Sequence, residues 1–565
     1  MGWWEPNLFN PTLKDSMGNL DPVSPCNGML LTKVGVADCA TAGLPGATLG
    51  TGNRGVVPDK NTAIQPRIGI AWDVRGDGKT AVRAGFGTFY NRFMLNTAMN
   101  APNNAPYTWT NPTSISQRAF DNTIDPSLAA FNDAGGRGVA AFSFPTGVIG
   151  ASPSVGQAQS SNIPLTVQYN LTVERELANN TKLEVAYVGN RGRHLEQFIN
   201  ANAIPSSQTM VINGVTLPTR VVFANCVTGP WCPTPNNGNS HQNCLTPFGS
   251  ITSNYIGAAV GGPCDLNGSN SNNAWGNIPF GYFGANSNYD ALQALFKTRI
   301  KVVDAQFAYT WSHSLSTSDI TDSSGNQQAP NTLLDPEKRH GDYGNTTINR
   351  PSILVGSIVY NAPKMEGQNA FVRGALGAWE TSAIVNYTSG PSLTVFAGSS
   401  GAPSGLVGTG FGNAERPNLV PGQSCKSSAG GLQWLNPAKF TLDHYAVGAE
   451  YPTSPRGICA GPGFAQTDFS IRKNFKVTER ITAKFSMDFF NLFNKTQFRA
   501  DQIGTGLSGS GGTDCIPATT VLAPCSNGYA PFTLQWSQSQ VSSNFGKATG
   551  DRGPRQVQYG LKVDF

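Results

Sequence analysis

The run Gly504-Thr505-Gly506-Leu507-Ser508-Gly509 has the spacing of a phosphate-cradling glycine loop. Such a loop works only between a strand and a helix, where backbone N–H groups converge on a pyrophosphate. Here Ser510-Gly511-Gly512-Thr513-Asp514-Cys515 follows, a further stretch of loop, so nucleotide binding is not expected. Asp73-Val74-Arg75-Gly76-Asp77-Gly78 opens like a calcium loop, but Ala84 stands at the twelfth position, where a bidentate Glu is needed. A turn between two strands explains the segment better. No HExxH, GxSxG or P-loop pattern occurs, and His194, His241, His313, His340 and His444 are far apart. The sequence therefore predicts no catalytic group, no metal site and no cofactor, and it does not read as an enzyme.

The cysteines carry a different chemistry. Cys26 and Cys39; Cys226, Cys232, Cys244 and Cys264; Cys425 and Cys459; and Cys515 and Cys525 form four groups, each even in number. Cys226 and Cys232 are not a CxxC pair, and no His pair stands at zinc-finger spacing. Even, locally paired cysteines in Gly/Asn/Pro-rich surroundings read as disulfides of an oxidising compartment. The expected bonds are Cys26–Cys39, Cys425–Cys459 and Cys515–Cys525. The remaining four pair among themselves, with three connectivities open.

Charged residues form a third set. Arg67, Arg83, Glu174, Lys182, Glu184, Asp468, Arg472, Lys484 and Asp488 each fall on the polar side of an alternating segment. They could line a substrate path, or simply a water-filled lumen, where those near a plug would pair with it. Trp72, Phe86, Tyr187, Trp311, Tyr387 and Phe489 fall on the opposite side. A sugar-stacking platform is one reading of these aromatics; a lipid face or interfacial girdle accounts for their alternation better.

The elements that must position these groups are strands. In Leu165-Thr166-Val167-Gln168-Tyr169-Asn170-Leu171-Thr172-Val173-Glu174 every second residue is apolar and every intervening one polar. A strand turns successive side chains to opposite faces, so this segment builds a sheet with one apolar and one wet side. The pattern recurs at 67–74, 82–87, 183–187, 305–312, 379–388, 481–489 and 557–565, and more weakly at 288–299, 351–361 and 464–475. That makes eleven strands and no amphipathic helix of any length. Short links near 75–78, 177–180, 300–302, 362–375 and 476–479 alternate with long ones near 91–163, 191–286, 316–350, 390–463 and 495–553.

An antiparallel meander with every second link long gathers all long loops at one end. This is the arrangement of a bacterial outer-membrane barrel, apolar outside and polar inside. A soluble sandwich would not carry such long loops. Composition agrees: 13% of the 565 residues are charged, against about 25% in soluble domains, while Gly (64) and Pro (38) are abundant. A formal charge of +5 without any Lys/Arg run argues against nucleic-acid binding. No stretch has the apolar length of a membrane-spanning helix. Residues 1–63 then read as an external loop before the first strand and 64–565 as barrel wall. All ten cysteines fall outside the strands and short turns.

Particular motifs narrow the reading. Phe489-Phe490-Asn491-Leu492-Phe493-Asn494-Lys495-Thr496-Gln497-Phe498, preceded by Gly461-Pro462-Gly463-Phe464, resembles the last strands of TonB-dependent outer-membrane receptors. Pro66-Arg67-Ile68-Gly69-Ile70-Ala71-Trp72-Asp73, Tyr187-Val188-Gly189-Asn190-Arg191-Gly192-Arg193-His194-Leu195, Tyr309-Thr310-Trp311-Ser312-His313-Ser314 and the terminal Pro554–Phe565 resemble the Oar-like branch of that family. The resemblance implies a plugged 22-strand barrel that imports a bulky substrate with energy relayed by TonB. Met1-Gly2-Trp3-Trp4-Glu5-Pro6 lacks the basic and apolar regions of a signal peptide, and neither a plug nor a TonB box is read in the chain. The chain is thus expected to be the C-terminal part, strands 12 to 22, reaching TonB only through a plug it does not itself contain. A passive porin or surface-binding barrel shares every periodicity argument. Tyr559, Leu561, Val563 and Phe565 resemble the terminal signal read by the barrel-assembly machinery; outer-membrane lipid is the other expected partner.

Overall fold

The computed structural model describes residues 63–90, 162–200, 279–317, 341–396, 416–441, 454–507 and 543–565, apart from 477 and 479, together with a few short strands elsewhere. Eleven strands follow one another across a single sheet: β1 (Arg67–Asp73), β2 (Thr80–Tyr90), β3 (Leu165–Ala178), β4 (Thr181–Asn200), β5 (Pro279–Ile300), β6 (Val303–Ser316), β7 (Ser352–Asn361), β8 (Trp379–Thr388), β9 (Phe464–Lys476), β10 (Thr482–Phe490) and β11 (Gln556–Asp564). Each pairs antiparallel with its neighbours in sequence. The architecture is an all-β, antiparallel up-and-down wall, and its five long connections leave from one end. Among the described residues no ladder joins β1 to β11, so each of these strands is paired on one side only.

The tight turns have local causes. Asn180 and Lys301 take left-handed backbone (φ 61° and 49°), the twist that two-residue hairpin links require. In the β1–β2 turn, the Asp73 carboxylate accepts hydrogen bonds from the backbone N–H of Arg75, Gly76 and Gly78. The segment that opened like a calcium loop is thus a side-chain-capped turn.

Register transmits the alternation from strand to strand. Tyr169 lies opposite Gly189, Leu171 opposite Tyr187, Tyr187 opposite Leu292 and Leu292 opposite Trp311. One face therefore collects Ile68, Ile70, Trp72, Leu171, Tyr187, Trp311, Tyr559 and Leu561, all of them exposed. A contiguous exposed apolar face of this breadth is what a barrel wall presents on its outer side. Glycine at 189 serves this face: a Cβ there would sit 2.2 Å from Cζ of Tyr169, whose ring crosses the neighbouring strand at that point.

Two features depart from the sequence expectation. The long link read near 191–286 starts later and ends earlier, because β4 and β5 stay paired up to Asn200 and Pro279. The alternation that reveals a strand stops at Asn190-Arg191-Gly192-Arg193, where both sides of the hairpin are polar. Register slips around Ala285, beside His194 with its positive φ of 53°, further scramble the pattern. The second departure is a helix, α1 (Ala370–Leu376), in the β7–β8 link. Its seven residues are too few to show a helical period, and the N-cap bond from Val372 N–H to the Asn369 side chain marks its start. Lys473 on the apolar face of β9 is buried beneath it. The Lys473 ammonium donates to the carbonyls of Ala375 (3.1 Å) and Gly377 (2.9 Å) and lies over the Trp379 ring.

Three short strands, Gly18–Leu20, Met29–Leu31 and Ala47–Leu49, pair within the region read as an external loop.

Candidate functional site

The register brings all nine sequence-predicted charges to the face opposite the apolar one, in two groups. On β2–β4, Glu174 joins Arg83 (2.6 Å) and Lys182 (3.2 Å). Glu184 lies directly across from Glu174, and the two cations offset that like-charge contact. Arg67 on β1 stacks over the Phe89 ring at 4.7 Å. On β8–β11, Arg472 lies between Glu380 (3.7 Å) and Asp488 (3.9 Å), and Lys484 pairs with Asp564 (2.7 Å). Ser470 donates to Asp488, and Asp468 accepts from Gln466 and from the backbone N–H of Asn491. Exposed pairs of this kind stabilise by about 1 kcal/mol or less each. Their effect is a wetted, charge-balanced surface without a large field of one sign. β7 and β8 interrupt it, since Val355 and Ile384 share this polar side.

Above the wall, the long connections fold together. Leu393, Val395, Leu435, Phe440, Cys459, Ile503, Leu507, Phe545 and Ala548 form one buried core drawn from the β8–β9 and β10–β11 links. Phe440 and Phe545 meet edge to face with ring centres 5.9 Å apart. Cys425 and Cys459 are joined by a disulfide with Cα atoms 5.6 Å apart. The β6–β7 link is tied in by a buried ion pair between Asp342 and Arg416, and by Arg456, which donates to the Thr317 carbonyl at 2.9 Å. The glycine run finds its role here. Leu507 is fully buried in the core, and a Cβ at Gly504 would sit 2.2 Å from the Asn544 carbonyl oxygen. Gly504 allows close backbone approach within the loop domain. At its surface the Arg499 guanidinium holds the Asp501 carboxyl below the usual carboxylate range.

Residues 491–498 clamp this domain to the wall. Asn491 and Asn494 take positive φ (55° and 50°), and Leu492 N–H donates to the Thr467 carbonyl. The buried Gln497 side chain accepts from Ala465 N–H (3.0 Å) and donates to the Ala465 carbonyl (2.5 Å), as a paired strand residue would. In the sequence this segment carries the family resemblance but assigns no task to Asn491 or Gln497. Two asparagines bracketing a turn immediately after an alternating strand were the available signal.

The other predicted residues are less informative. Tyr559, Leu561 and Val563 lie on the apolar face opposite Met487, Phe485 and Ala483, and the terminal Phe565 is exposed. Cys26, Cys39, Cys226, Cys232, Cys244, Cys264, Cys515 and Cys525 lie outside the described residues. Among the described residues no group of His, Cys, Asp or Glu could hold a metal ion.

Residues 4–558 match the family described as an outer membrane beta barrel domain. The chain belongs to that family. It is a protein of the bacterial outer membrane. No curated protein matches the sequence. Solved structures to which the chain is similar include the outer membrane transporter YddB from Escherichia coli, at 9% identity and a TM-score of 0.36, covering 80% of this chain and 39% of that one. The siderophore receptor PiuA from Acinetobacter baumannii is 8% identical with a TM-score of 0.32, covering 88% of this chain and 35% of PiuA. The FrpB iron transporter from Neisseria meningitidis is 9% identical with a TM-score of 0.31, with coverages of 89% and 39%. The chain thus spans less than half the length of these neighbours.

Proposed function

We propose that this outer membrane beta barrel protein is part of the wall of a TonB-dependent transporter, of the Oar-like branch, that imports a bulky substrate. The observation that carries the reading is the joining of two parts. A wall with a charge-balanced face in two groups, the nine charges from Arg67 to Asp488 among them, stands beneath a folded loop domain built from three connections. A passive pore needs only the wall. A core, a disulfide and a buried ion pair in its loops serve a surface that must hold its shape, as a capture site does. In this reading the polar face lines the lumen, strands β1 to β11 correspond to strands 12 to 22 of the full barrel, and the open edges of β1 and β11 pair with the remaining strands. TonB acts through a plug supplied from outside these residues. The terminal strand, with Tyr559, Leu561, Val563 and Phe565, is read by the barrel-assembly machinery.

The test is energy dependence. The native gene, disrupted and then restored in its host, should confer uptake of its substrate that is abolished by collapsing the inner-membrane proton gradient. Planar bilayers containing the full-length protein should show no steady conductance. Uptake indifferent to the gradient, with a stable open conductance, would establish a passive pore instead.

A further inference from the structure

A cleft of about 570 Å³ opens on the lipid-facing side of β6–β9, where the loop domain overhangs the wall. Ligand pockets commonly enclose about 300–1,000 Å³, so it is large enough for a lipid chain. Its floor is Tyr309, Leu354 and Tyr387, which the register places on the apolar face. Its roof is Trp434 and Phe498 from the loop domain. Hydroxyl groups on the floor are paired locally: Tyr309 with Ser352 at 3.2 Å, and Tyr387 with Thr467 at 2.7 Å. They make few demands on an occupant, so the floor is effectively apolar.

The rim is cationic. Lys495 lines the cleft directly. The Lys426 ammonium lies 5.3 Å from the centre of the Trp434 ring, and the Arg552 guanidinium lies 4.7 Å over Phe464, another lining residue. No lining residue is acidic. Asp551, next in sequence to Arg552, accepts from Gly553 N–H. An apolar slot on the apolar side of the wall, at the loop-end border, lined by Lys495 and with Lys426 and Arg552 against the rings of two of its lining residues, is complementary to one kind of molecule: an anionic amphiphile standing in the outer leaflet.

We propose that this cleft binds an anionic lipid of the outer leaflet, with an acyl chain between Leu354 and Trp434 and a phosphate beside Lys495, Lys426 and Arg552. The site is separate from the polar face and does not depend on what crosses the lumen. Bound there, the lipid fills the gap between wall and loop domain and fixes the angle at which the domain sits.

The full-length protein, delipidated in detergent, can be titrated with lipid A and, in parallel, with zwitterionic phosphatidylcholine, and bound lipid counted by native mass spectrometry. Wild type should retain one lipid A and prefer it to phosphatidylcholine. Lys495→Glu should weaken lipid A about tenfold and leave phosphatidylcholine unchanged; Leu354→Trp, which fills the slot, should abolish retention of both. Equal retention by Leu354→Trp and wild type, or no preference for the anionic lipid, overturns the proposal. Should Leu354→Trp fail to fold, a second measurement decides. Lipid with brominated acyl chains should quench wild-type fluorescence more than that of Trp434→Phe, which keeps the roof but removes the fluorophore. Identical quenching refutes contact at the roof.

Discussion

Removing the Cys425–Cys459 disulfide should loosen the loop domain and leave the wall intact. The bond closes a segment with a sequence separation of 34. On the chain-entropy account, closing that span restricts the unfolded domain by about 3.8 kcal/mol at 25 °C. Cys459 is also buried in the core, so truncating it opens a small void, which destabilises in the same direction. The double substitution Cys425→Ala/Cys459→Ala should therefore raise the population of the opened loop domain on the order of 600-fold. Hydrogen exchange reads this directly. The N–H groups of Leu435, Leu507 and Ala548 are bonded to carbonyls within the domain, to Gly546, Phe396 and Leu432 respectively. Their exchange should accelerate by that factor in the double variant, while N–H groups of β3 and β4 keep their wild-type rates. Unchanged rates at Leu435, Leu507 and Ala548 would refute the disulfide's role. Equal acceleration in β3 and β4 would refute the separation of domain from wall.

Asp342→Ala leaves the buried Arg416 guanidinium without its carboxylate and should destabilise the loop domain by about 3–5 kcal/mol; limited proteolysis would cut the β6–β7 and β8–β9 links much faster, and Asp342→Leu/Arg416→Met should recover most of the loss. Gly189→Ala and Gly189→Leu should lower the yield of heat-modifiable, membrane-inserted protein in that order, since each side chain displaces the Tyr169 ring, at about 1–3 kcal/mol for overpacking. Deleting Phe565 from the full-length gene should reduce outer-membrane insertion without changing synthesis, measured by fractionation; unchanged insertion would leave β11 an ordinary wall strand.

The wall was legible because lipid on one side and water on the other impose a two-residue period on each strand. Where that period is pure, as from Leu165 to Val173, the sequence reading and the ladder agree. Strand β7 was faint because Ile353, Val355 and Val359 place apolar groups on its polar face, erasing the contrast. The outer ends of β4 and β5 were invisible for a different reason: Asn190-Arg191-Gly192-Arg193 is polar on both faces and the register slips around Ala285. The nine charges could be assigned to one face by parity, but their partners could not. Pairing such as Lys484 with Asp564 depends on cross-strand register, which a single sequence does not give. The loop domain was missed altogether. Its core unites residues as distant as Leu393 and Ala548 from segments without regular structure, and only the cysteines hinted at it.

The buried Lys473 gives the wall a fixed draught. A cation on the lipid side is tolerable at that row because the carbonyl end of α1 receives it and two aromatic rings shade it. The same helix offers Phe371 and Leu376 outward, 82% and 59% exposed. In the orientation proposed above, helix and lysine together act as a float and its mooring at the water line of the inner leaflet. Sinking the wall deeper would drag the ammonium and the polar helix end into hydrocarbon, which costs about 2.5–3.5 kcal/mol for the charge alone. Raising it would pull Phe371 and Leu376 out of the interface they rest in. Both displacements are opposed by Lys473 of β9 together with residues of a connection the alternation marks only as a short link.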